Sequence, residues 1–166
     1  MPQTPAQALG FVLGLWIAVW LLFPRASLGA ELEFAPLEAE LEQAVNDVRS
    51  REGLIALLRD PRLDAVARAH SADMAQRRYL SHDTPEGQNP VDRLRQGGAS
   101  GFTLAGENVG LTSKGDPNRE ILEAWLASPA HRGNLLAPAF NATGVGIARG
   151  ADGTLYYTQL YVTYKR

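Results

Sequence analysis

The sequence predicts a layered α+β domain, with helices gathered in its first two-thirds and a sheet completed at its end. Three observations carry this expectation. From Leu37 to Trp125 apolar residues recur at helical spacing behind repeated cap-and-proline signals. From Val145 the period changes to two, with Val145 and Ile147 alternating with small residues ahead of a Tyr-, Val- and Thr-rich run from Leu155 to Thr163. Helical and strand patterns do not alternate as a parallel β/α repeat would require, and there is no internal repeat or low-complexity tract.

The elements follow in order. Leu9 to Phe23 form an apolar run, LGFVLGLWIAVWLLF. It is shorter than the ~20 apolar residues of a usual bilayer span and suits a signal-peptide core. Small residues from Ala26 to Ala30 offer cleavage after Gly29, yet no Lys or Arg precedes the run and Arg25 follows it. Residues 1–30 are therefore expected to be a signal peptide or an uncleaved N-terminal membrane anchor, and either places the remainder outside the cytoplasm. Residues 31–36 read as a linker and 37–166 as the domain.

Leu37, Leu41, Val45 and Val48 mark a first helix that Gly53 stops. Asp60 as N-cap with Pro61 behind it starts a second, whose face carries Leu63, Val66, Ala67, His70 and Met74 to about Arg78. Ser81 to Asn89 is loop by composition. Asn89 and Pro90 open a short helix that Gly97-Gly98 ends, and Leu104 to Leu111 suits a strand. Asp116-Pro117 opens a helix bearing Ile121, Leu122 and Trp125, and Ser128-Pro129 starts a short, tight turn through His131. The turn from Gly150 to Gly153 closes a β-hairpin.

Composition removes several function classes. The chain has 166 residues, a formal charge of −2 and no basic run, which gives nothing for a nucleic-acid backbone to bind. It has no cysteine, so thiol catalysis, disulfides and cysteine-based zinc motifs are excluded. Imidazole chemistry must come from His70, His82 or His131. There is no G-x-S-x-G, no H-E-x-x-H, no phosphate-cradling glycine loop and no dinucleotide fingerprint.

HSADM (70–74), SHDTPEG (81–87), GENV (106–109), WLASPAHRGNLL (125–136), GVGIARG (144–150) and YYTQLYV (156–162) occur in this order. Together they resemble the CAP superfamily (SCP domain), in its bacterial, cysteine-free branch. The resemblance covers about Leu37 to Val162. It implies a three-layer α/β/α sandwich of the CAP/SCP type, with a mostly antiparallel central sheet and a cleft lined by the SHDTP, GENV and SPAHR segments. Plant and animal members hold two His and two Glu in that cleft. His82 matches the first His and Glu107 the Glu of GENV, whereas the second Glu position is Ser128 and the second His position is Tyr156. His131, about one helical turn beyond Ser128, is placed to return an imidazole to the same cleft.

The expected cleft is therefore His82, Glu107, Asn108, Ser128, His131 and Tyr156. His82, Glu107 and His131 are ligand types that suit a divalent metal such as zinc with an open position. They are equally the parts of a general acid–base pair, because a carboxylate raises a neighbouring imidazole's pKa. They also suit a purely bracing role, with Glu107 accepting backbone N–H bonds from the SHDTP loop. Asn108 is expected to pin the loop, Asn134 and Arg132 to brace it, and His70 and Trp125 to pack in the core. The resulting expectation is an extracytoplasmic module for a small ligand, lipid or cell-wall component, with a metal-assisted hydrolase and a surface protein-interaction domain as alternatives. No nucleic-acid partner is expected, and membrane contact only through the N-terminal segment.

Overall fold

The computed structural model of the chain describes residues 33–165, so the apolar run and its cleavage region lie outside the described residues. The elements are α1 (Ala35–Arg51), β1 (Leu58–Arg59), α2 (Pro61–Arg77), α3 (Pro90–Gln96), β2 (Phe102–Thr112), α4 (Pro117–Ala127), α5 (Pro129–Leu135), β3 (Ala142–Arg149) and β4 (Leu155–Tyr164). One sheet has the order β1-β3-β4-β2; only the β1–β3 pairing is parallel.

Layering follows from side-chain alternation along β4. Tyr157 and Tyr161 join Val145 and Ile147 of β3 against Leu41 and Val45 of α1, Ile121 and Trp125 of α4 and Leu135 of α5. On the opposite face, Leu160 and Val162 pack against Leu63, Val66 and Ala67 of α2 and Leu94 of α3. Tyr156 continues that face with Met74, Ala75 and Val109. The sheet is thus sandwiched between α2–α3 and α1–α4–α5, as the family pattern implied. Gly144 and Gly146 make the α2 contact close: a Cβ at either would fall inside the α2 backbone, at Leu63–Asp64 or Ala67–Arg68.

Both sheet edges are partly covered. β1 pairs only with Ala142 and Thr143. Beyond it, buried carboxylates replace the missing strand: Asp64 accepts from Val145 N (2.9 Å) and Glu38 from Ile147 N (3.3 Å). Along β2, Asn134 Nδ2 donates to Glu107 O (2.9 Å) and Trp125 Nε1 to Val109 O (3.0 Å). Side chains therefore satisfy backbone groups that would otherwise template pairing with another chain.

Three local outcomes differ from the sequence expectation. Ala35 and Pro36, read as linker, open α1, because proline at a first helical turn loses no hydrogen bond. The turn through His131 continues as a helix to Leu135. The two-residue β1 is too short to leave a periodic signal.

Candidate functional site

Four segments converge beside β2. Glu107 stands on β2 opposite Leu160 and is 4% exposed. His82 comes from the loop between α2 and α3, and its ring is about half exposed. Arg93 comes from α3. His131 comes from α5 in the opposite layer, so the site wraps over an edge strand.

The loop carrying His82 is shaped by its own residues. Gly87 N bonds Thr84 O (2.8 Å), with Pro85 second and Gly87, at φ +84, fourth in a tight turn. Thr84 and Gln88 bond again through backbone (3.0 Å), and the Thr84 hydroxyl accepts from Gln88 N (3.2 Å). The Arg77–Glu86 ion pair ties the tip to α2. At the loop's start His70 Nε2 donates to Ser81 O (2.9 Å). His70 is buried, as expected for a packing residue, although its Nδ1 has no protein partner.

At the centre Glu107 is shared. Its Oε1 accepts from His82 Nδ1 (2.9 Å) and its Oε2 from Arg93 Nη2 (2.6 Å). Arg93 Nη1 donates to His82 O (2.7 Å) and to Gln88 O (2.9 Å). The His82 and His131 rings meet edge-on with centroids 6.1 Å apart. Asn108 fixes α5 from behind: its Nδ2 donates to His131 O (3.0 Å) and Tyr161 Oη (3.2 Å), while its Oδ1 accepts from Asn134 (3.0 Å). Tyr161 Oη in turn donates to Gln159 Oε1 (2.8 Å).

The two cleft imidazoles are tuned in opposite directions. The hydrogen bond to Glu107 raises the His82 pKa, against partial burial. Burial, followed by the charge of His82, lowers that of His131. His70 is also lowered, chiefly by burial.

Of the expected cleft residues, His82, Glu107 and His131 come together. Asn108 lies directly behind them and bonds a neighbouring backbone carbonyl, that of His131 on α5, where a loop contact was expected. Ser128 sits at the α4–α5 junction as N-cap without a capping side-chain bond. Tyr156 is four residues along β4 from Leu160, the partner of Glu107, and packs with Met74, Ala75 and Val109. That places it roughly 13 Å along the strand from the Glu107 row. Glu107 does brace the loop, but through side chains where backbone N–H partners were expected. Sequence reasoning missed Arg93; in VDRLRQ it is one of three charged residues, and nothing local marks it as the buried one.

Among the described residues no group of three or more His, Cys, Asp or Glu side chains is arranged to hold a metal ion. The reason is legible at Glu107, whose two oxygens are taken by His82 and Arg93. The expected zinc set is thus two imidazoles whose carboxylate is already engaged, and it does not fit a three-ligand centre.

This sandwich, with a His–Glu pair over its edge strand, defines the class. The family model described as the cysteine-rich secretory protein family, CAP, matches residues 42–161, and the chain belongs to that family. The chain is similar to YkwD of Bacillus subtilis (strain 168), 36% identical over 125 residues, covering 75% of this chain and 46% of that protein. It is also similar to the membrane protein YlbC of the same organism, 34% identical and covering 75% and 34%. The chain therefore spans less than half the length of these relatives. Among solved structures, an extracellular SCP-domain protein from Bacillus anthracis str. Ames is 36% identical with a TM-score of 0.66, over 76% of this chain and 40% of that one. An outer surface protein from Borrelia burgdorferi, 20% identical, shares the fold with a TM-score of 0.73, over 81% and 97%.

Proposed function

We propose that this chain is an extracytoplasmic CAP module that binds a small ligand, a lipid or a cell-wall component in the His82–Glu107–His131 cleft, without efficient catalysis. The engagement of Glu107 supports this reading most directly. Its two oxygens accept from an imidazole and a guanidinium, so Glu107 orients His82 and braces the loop, which favours a binding surface over a metal centre. What the cleft offers an incoming molecule is the half-exposed His82 ring with His131 beside it. The placement outside the cytoplasm draws on the extracellular and outer-surface relatives and on the N-terminal apolar run. Among the described residues no helix is long and apolar enough to cross a membrane.

The test uses the full chain with three probes: purified peptidoglycan, phosphatidylglycerol vesicles and zinc ion. Saturable binding to peptidoglycan or to the vesicles, weakened at least tenfold in His82→Ala and His131→Ala, supports the reading. Micromolar zinc binding lost in both variants overturns it in favour of a metal-assisted hydrolase. Binding of none of the three also overturns it and leaves a surface protein-interaction role.

A further inference from the structure

Glu107 has two ways to present itself to His82, and the residue that chooses between them lies outside the motifs that mark the cleft. Arg93 Nη2 occupies Oε2 of the carboxylate at 2.6 Å, which leaves Oε1 for His82 Nδ1. The same guanidinium holds the backbone beneath the imidazole, through His82 O (2.7 Å) and Gln88 O (2.9 Å). One planar fork thus sets the spacing between the acceptor and the chain that carries its donor, which a lysine's single ammonium cannot do. Arg93 is itself held firmly. It sits on α3, whose N-terminus is closed by a capping box between Asn89 and Asp92 with Pro90 behind it, and its neighbour Leu94 is fully buried.

We propose that Arg93 is the positioning residue of this cleft: by holding both Glu107 and the His82 backbone, it makes Nε2 the ring atom that His82 turns to a ligand. This rests on the cleft reading above. A carboxylate accepts hydrogen bonds and does not donate them, so the nitrogen facing Glu107 carries the proton and the other is left for the ligand. Among the described residues Nε2 has no partner, and the ring is half exposed.

Long-range proton–nitrogen correlation spectra of the full chain test this, recorded at about pH 9, where the ring is neutral. The expected wild-type result is the Nδ1–H form of His82, against the Nε2–H form that free histidine side chains favour in water. Arg93→Gln and Arg93→Lys are both expected to lose the Nδ1–H pattern, with the amide spectrum otherwise retained. If the wild type shows Nε2–H, the His82–Glu107 pairing and the cleft reading fall together. If the wild type shows Nδ1–H and both variants keep it, the role of Arg93 is overturned while the cleft reading stands. If neither variant folds, Arg93 is a residue of general stability and the proposal is overturned as well.

Discussion

Beside Glu107 the His82 imidazole holds its proton more tightly than it would in water, because the carboxylate accepts from Nδ1. The folded chain therefore binds this proton more strongly than the unfolded one. The pair contributes stability that is full below the ordinary value of 6.5 and is lost as pH climbs through the raised value. His70 behaves in the opposite sense. Burial lowers its pKa, so the unfolded chain takes up the proton first, and stability is lost as pH falls from 6.5 toward the depressed value. Urea midpoints of wild type, His82→Gln and His70→Gln at about pH 5.5, 7 and 8.5 separate the two. The gap between wild type and His82→Gln is expected to shrink as pH rises. The acid loss between about pH 7 and 5.5 is expected to be smaller in His70→Gln than in wild type. A gap for His82→Gln that widens with pH would contradict the assigned pairing.

At the scale of elements, α5 is held at both ends of its short length. Asn108 takes the His131 carbonyl, and Arg49 of α1 takes Leu135 O (2.7 Å), Ala137 O (3.1 Å) and Phe140 O (3.4 Å), with Ile55 O (3.1 Å) on its Nε. Arg49 is 1% exposed, and carbonyls at the end of α5 solvate its charge. Burial nonetheless lowers its pKa, which records the desolvation of that charge. Arg49→Met keeps much of the volume and strands two buried carbonyls, those of Leu135 and Phe140, for an expected loss of about 3 kcal/mol. A loss well under about 1 kcal/mol in denaturant titrations would show that water reaches those carbonyls. Gly146 sets the other layer. Gly146→Ala puts a methyl into the α2 backbone, and an overpacking cost of at least about 3 kcal/mol is expected, read as a lowered Tm or as failure to fold.

Elements with local chemistry are readable from the sequence. The Asp60-Pro61, Asn89-Pro90 and Asp116-Pro117 signals each open a helix at the proline, because the cap and the fixed φ act within one turn. That His82 and Glu107 share one cleft is legible only through the resemblance to the CAP family, and their direct hydrogen bond is not legible at all. What cannot be read depends on distant partners. Arg49 and Arg93 look like solvated charges in sequence and become buried when a carboxylate and carbonyls, most of them 11 or more positions away, close around them. The family pattern assigns Tyr156 to the cleft, and strand register instead carries it into the Met74 cluster.

Across the whole molecule, Glu38 is where the layers are joined. It lies on α1 with no exposed surface, and accepts from Arg68 of α2 (2.8 Å and 2.5 Å), Arg59 of β1 (3.2 Å) and the Ile147 amide of β3 (3.3 Å). One carboxylate thus links both helical layers and the sheet edge that β1 leaves uncovered. Replacing it with Gln keeps one acceptor for Ile147 and removes the charge that two arginines share. Removing one partner of a buried ion pair typically costs ~3–5 kcal/mol. Both arginines retain about a quarter of their side-chain exposure, so part of that cost is recovered by water. A loss of roughly 3 kcal/mol is therefore expected for Glu38→Gln. Because the three contacts belong to different elements, the loss is expected to be cooperative: with Trp16 and Trp20 replaced by Phe, fluorescence of Trp125 on α4 and far-ultraviolet ellipticity should move to the same new midpoint. If Trp125 and the backbone separate into two transitions, α2 can leave the sheet while α1, α4 and α5 stay packed. The carboxylate would then be a local edge cap, and the cohesion of the sandwich would rest on the Gly144–Gly146 contact with α2 instead.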